Sequence, residues 1–346
     1  MRDPFWVSEA PNISEIKHNE KKFTEEFSKT VIKHLTENFE VEICRDGFIL
    51  MKIHQLETLR NGSTVKQQNN HDSILEFNSE YLSYLNTFQF LLASATSILQ
   101  KFNYFRNAPI SANEVFKVTK KNNEFDGASM PYRDISGHFL IGRYISSYNP
   151  IYPIEVDYRI SRRSVIEEKV FHKCISDFEI LFSDNDSFYI MSQINSSFSE
   201  FCNLNFRQCL TLAWFCIEYF INKTWVAFLH DKKKSGKLID GDRRDILIGK
   251  DYSSSIMSNI LELNGYVPYE IFVKINNVRS KRNLIVHNLD RVKKLSDVLK
   301  ENPNNKKSRS IHLLDCLDSF DILKHFVKTY NQIEISFPIG FTYKEL

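Results

Sequence analysis

The chain has 346 residues, 42% of them hydrophobic and 25% charged, with a net charge of +2. That length allows two domains, each with its own core, and the composition is ordinary for a soluble globular protein. So small a net charge excludes neither acidic nor basic partners, and only its distribution is informative.

The opening MRDPFWVSEA lacks a basic start followed by an apolar run, so no signal peptide is expected. Residues 13–39 space Phe23, Phe27, Val31 and Leu35 at intervals of four, which predicts an amphipathic helix. From Phe39 to Ile43 the pattern alternates with period two. Arg45, Asp46 and Gly47 then supply a turn, and Phe48 to Ile53 reads as the returning strand of a hairpin. Residues 60–72 are polar and turn-rich, hence a loop. Ser79 to Phe102 places Leu82, Leu85, Phe88, Leu92, Ala95 and Leu99 on one face of a long helix. Between Asn107 and Ile160, prolines separate three short strand-like runs at 115–118, 138–141 and 154–158. Residues 1–160 therefore read as a mixed α+β domain, with no catalytic constellation, metal-ligand spacing or glycine-rich phosphate loop.

From Ser161 onward strand signals fade, and 161–346 reads as an all-α bundle. Helices are expected over 164–182, 187–200, 203–230, 251–263, 269–291 and 311–333. The segment Leu210 to Leu229 has membrane-spanning length, but Glu218, Asn222 and Lys223 interrupt it, so it reads as the central buried helix. Residues 231–245 are charged and polar, hence a loop. Ser235, Gly236 and Lys237 lack the earlier glycine and preceding strand of a phosphate-binding loop. Six cysteines form no CxxC pair. Cys202, Cys209 and Cys216, seven apart, read as small residues packed on one helical face of a reduced, cytoplasmic protein.

The chemistry sits between Tyr269 and Arg291. Ile271, Ile275, Val278, Ile285 and Leu289 form one apolar stripe, and Arg282 interrupts it near its centre. Asn283 and His287 are an i, i+4 pair, with Arg279 one turn earlier. Arg, Asn and His together can hold a phosphate, orient a hydroxyl and move a proton. Residues 279–309 carry ten Lys or Arg against three acids, a local excess that suits a phosphate-rich partner or marks a solvated face.

The run from Arg282 to His287 resembles the Arg-polar-x-x-x-His signature of HEPN domains, with Asn283 directly after the arginine as is typical of them. These are all-helical modules, many of them metal-independent ribonucleases of toxin–antitoxin, CRISPR-linked and phage-defence systems. The resemblance implies a HEPN-like bundle over 161–346, RNA as substrate, no cofactor, and a composite cleft between two protomers of a homodimer. It also implies Arg282, Asn283 and His287 as the catalytic set. An antitoxin or a phage-derived trigger is a further expected partner. Arg279 and Glu218 are expected to support the catalytic set, and Lys281, Arg291, Lys293 and Lys294 to contact RNA. Glu218, embedded in an apolar run, needs a partner, and Arg282 is the expected one. Two other readings stand beside the enzyme: a non-catalytic HEPN module that binds nucleotide or nucleic acid, and a partner-binding regulator.

Overall fold

The computed structural model describes residues 5–12, 25–26, 28–62, 71–101, 109–111, 117–121, 124–129, 164–184, 186–249, 251–287 and 313–339; the side chains of 59–62, 71–78, 117–121, 124–129 and 287 lie outside that description. The chain is mostly helical with a small sheet region near its N-terminus. It divides into two compact units, Met1–Ser192 with Ser336–Leu346, and Gln193–Ile335.

The first unit opens with β1 (Phe5–Val7), whose three side chains are almost fully buried, then β2 (Thr30–Leu35), β3 (Phe39–Cys44) and β4 (Ile49–Ile53). The last three form an antiparallel sheet in the order β2-β3-β4. The expected hairpin is β3–β4, with Gly47 at φ +84° in its turn, a conformation that costs a side-chain-bearing residue about 1 kcal/mol. The helix expected over 13–39 is corrected at its end: Thr30 to Leu35 is a strand paired with β3. A spacing of four has the parity of a strand as well as the pitch of a helix, and Thr30, Val31 and Ile32 are β-branched. Ile32 is the buried residue there, while Leu35 is exposed. Residues 13–24 lie outside the description.

Helix α1 (His54–Gly62) follows the hairpin, and α2 (His71–Gln100) is the long helix expected after the loop, buried on nearly every side from Asn86 to Thr96. A second hairpin, β5 (Lys117–Lys121) with β6 (Glu124–Ser129), overlaps the first of the three strand-like runs. The other two, at 138–141 and 154–158, lie outside the described residues. β7 (Ser164–Ile166) pairs parallel with β1, at the start of what the sequence suggests is a helix. Then comes α3 (Glu168–Ile180), closed by a 3₁₀ turn over Leu181–Ser183. The boundary expected at 160/161 thus falls later, within α4 (Ser187–Cys202). Helix α3 joins the first unit because Val170, Phe171, Cys174 and Phe178 are buried against its core, and the Cys174 thiol donates to the Phe88 carbonyl of α2. Phe178 sits at the middle of that core, edge-on to Phe39, Phe88 and Phe188 at centroid distances of 5.1, 5.3 and 5.1 Å.

In the second unit α5 (Phe206–Lys234) is central, and α7 (Ser254–Leu263), α8 (Tyr269–His287) and α9 (Leu313–Asn331) all pack on it. Phe220 stacks on Phe326 of α9, and the Tyr330 hydroxyl donates to Thr224. Two expectations are corrected here. The expected loop contains α6 (Gly241–Ile248), started by Asp240, whose carboxylate accepts the Arg243 amide at 2.9 Å. A capping Asp offsets a helix start that composition alone hides. The cysteine repeat also breaks: Cys202 ends α4 and is exposed, whereas Cys209 and Cys216 are buried on α5. Between them Leu204 turns the chain at φ +61°. No helix among the described residues is long and apolar enough to cross a membrane.

After α9 the chain leaves the bundle. Gln332 turns at φ +57°, and Ser336 donates its amide to Ser94 of α2 while Phe337 packs on Phe90. That return explains why the last residues belong to the first unit.

Candidate active site

Helix α8 starts after Gly265, at φ +76°, and Pro268, and it runs through the whole motif. Ile275 and Val278 are fully buried, and Ile271 and Ile285 are half-buried, so the expected apolar stripe faces the bundle. Leu289 lies outside the described residues.

The opposite flank of the stripe from Arg279 is tied to α9. Lys274 donates to Asp321 at 2.5 Å and lies 3.7 Å from Asp318. Asn277 donates to Asp318 at 3.1 Å and to Asp315 at 3.4 Å. Lys281 lies 3.6 Å from Asp315. At about 100° per residue, Lys274, Asn277 and Lys281 share one side of the helix, and Arg279, Asn283 and His287 share another. The ladder therefore fixes the rotation of α8 about its axis, and with it the direction of the motif. Lys281, expected to contact RNA, is a rung of this ladder, and its side chain keeps only 18% of its exposure. The sequence carries a signal for it that is visible only when both helices are read together. Residues 274, 277 and 281 repeat every three or four, and so do the three aspartates of α9.

Arg282 is half-buried, and its Nη1 donates to the Asn283 side-chain oxygen at 3.3 Å. Its Nε, Nη1 of Arg279 and Oδ1 of Asn276 are all buried without a hydrogen-bond partner. Among the described residues neither arginine meets a carboxylate. Burial holds the Arg279 guanidinium below the usual arginine range. Asn283 is exposed, and His287 is the last residue of α8, its side chain outside the description. Arg291, Lys293 and Lys294 also lie outside the described residues.

The expected pairing of Glu218 with Arg282 is not formed. Glu218, half-buried on α5, instead accepts a short hydrogen bond from the Ser254 hydroxyl at the start of α7. A helix N-terminus carries partial positive charge, so a carboxylate can settle there without a cation. Among the described residues this leaves the guanidinium of Arg282 without a neutralising carboxylate.

The ladder makes an acid-sensitivity prediction. Burial works against the charged form of Asp321, but Lys274 and Lys324 outweigh it and lower its pKa. A carboxylate with a depressed folded pKa adds stability above its unfolded value, about 3.9, and loses it as pH falls through the folded value. Burial likewise opposes the Lys274 cation, yet Asp321 and Asp318 raise its pKa, so its contribution persists below about 10.4 and fades only as pH rises through the folded value. Thermal midpoints followed from neutral pH to pH ~3 are expected to fall less steeply in Lys274→Met than in wild type. Parallel curves would refute the coupling.

No protein-family model, no curated protein and no solved structure matches this chain.

Proposed function

We propose that this protein is an endoribonuclease of the HEPN kind that cuts RNA without a metal ion, acting as a toxin or anti-phage effector in the cytoplasm. The observation that carries this reading is on α8. A guanidinium bonded to Asn283 meets no carboxylate among the described residues, and it stands five residues before a histidine at the helix end. A cation held this way has its charge available for a phosphate.

In the proposed reaction His287 takes the proton of the ribose 2′-hydroxyl, whose oxygen attacks the adjacent phosphorus. Arg282 holds the non-bridging oxygens as negative charge builds on them, and the 5′-oxygen leaves as a hydroxyl by taking a proton from water, while the His287 imidazolium returns its proton to solvent. Asn283 keeps the Arg282 fork in place. The products are a 2′,3′-cyclic phosphate and a 5′-hydroxyl. Two protomers bringing their α8 helices together would complete the cleft, with an antitoxin or phage-derived component as the controlling partner.

The test is cleavage of matched all-ribose and all-deoxy oligonucleotides by purified protein in EDTA, with sedimentation at the assay concentration. Cyclic phosphate ends from the ribose strand alone, made by a dimer, are expected. Cutting of the deoxy strand, loss of cutting in EDTA, or full activity in a monomer would each contradict a part of the proposal.

A further inference from the structure

Among the described residues nothing offsets the burial of the Arg279 charge. It is half-buried, its Nη1 has no hydrogen-bond partner, and among the described residues no carboxylate faces it. On the same helix every nearby cation on the α9 side is matched: Lys274 by Asp321 and Asp318, and Lys281 by Asp315. A methionine at position 279 would keep the packing of the aliphatic stem and remove the desolvated charge. A stability cost of this kind is characteristic of residues kept for binding.

Its neighbours indicate what it binds. Arg282 and Asn283, which bond to each other, are its i+3 and i+4 neighbours, so the three side chains adjoin on one flank of α8. From 279 to 282 the helix rises about 4.5 Å, and one strand of a nucleic acid advances about 3.4 Å of axis per phosphate. Two flexible arginine arms at that spacing can therefore take consecutive phosphates.

Resting on the ribonuclease reading, we propose that Arg279 holds the phosphate next to the scissile one, so that the site takes two consecutive phosphodiesters of an RNA strand. Arg282 then serves the reacting phosphate and Arg279 its neighbour. A substrate with a single phosphodiester is bound weakly.

The test compares wild type with Arg279→Met on a dinucleoside monophosphate and on trinucleotides that add one phosphodiester on either side. For wild type, one of the two extensions is expected to lower KM at least about tenfold, the worth of one charge-assisted contact. Arg279→Met should lose that gain, so that both trinucleotides show the KM of the dinucleoside monophosphate. A second readout needs no cleavage: binding of an all-deoxy oligonucleotide should lose about one unit of salt slope in the variant. The variant should also melt no lower than wild type. Equal KM gains and equal salt slopes in the two proteins would overturn the proposal. So would a midpoint lowered by about 4 °C or more, which marks a structural arginine. If wild type cuts no RNA, the salt slope decides alone. A lost unit retains Arg279 as a phosphate contact and removes only the ribonuclease reading, and an unchanged slope removes both.

Discussion

Arg282→Ala is expected to slow RNA cleavage by at least about 10²-fold while leaving the fold intact. The two halves of that expectation have separate causes. Rate falls because the charge that develops on the phosphorane loses a bidentate donor, and such donors act far more strongly on the transition state than on the ground state. Stability holds because the guanidinium makes one 3.3 Å hydrogen bond, to its sequence neighbour Asn283, and its Nε is already buried without a partner. Removing it orphans no carboxylate among the described residues, since Glu218 is satisfied by Ser254. His287→Ala should cost a similar factor through the lost proton transfer. Single-turnover rates alongside urea unfolding midpoints check both variants. A cleavage rate within threefold of wild type, or a slow variant that has also lost most of its stability, would count against a catalytic Arg282.

Phe178→Ala should destabilise the first unit by about 3–5 kcal/mol, the usual cost of emptying a fully buried aromatic site. Phe178 is completely buried and lies edge-on to Phe39, Phe88 and Phe188, with Phe182 a further 80° edge contact at 5.7 Å. The quadrupoles of such pairs add about 0.5–1.5 kcal/mol beyond area burial. The neighbouring rings come from β3, α2, the 3₁₀ turn and α4, so no single segment can close in to fill the cavity. Phe178→Leu should lie between the alanine variant and wild type. A loss below about 1 kcal/mol for the alanine variant, read from urea unfolding, would mean the cluster repacks freely.

Local pattern was enough for part of this protein. The β3–β4 hairpin follows from the alternation of Phe39, Val41 and Ile43 ahead of Gly47, because period two and a turn glycine are both local properties. Helices α2, α4, α5, α7, α8 and α9 follow from apolar periodicity longer than any competing strand could sustain. The same reasoning located the motif on one helix, with Arg279, Asn283 and His287 on one flank and Arg282 on the apolar stripe. It failed at β2, where four-residue spacing fits two periods at once and only pairing with β3 chooses between them. It failed again at α6, where the Asp240 cap holds a helix with no buried residue of its own.

The partners of the charged groups were decided by tertiary structure. Whether Glu218 would find Arg282 or Ser254 depends on which helix α5 presents it to, and spacing along α5 carries no information about that. Lys281 reads from sequence as one more cation of a basic run, yet Asp315, thirty-four residues later, draws it into the α8–α9 ladder. Arg279 and Arg282 read as members of the same run and meet no carboxylate among the described residues. Periodicity reports which side of an element meets the core, because burial repeats with the element's own pitch. Ion pairing joins residues far apart in sequence, and the choice among partners of similar charge is made only when the helices pack.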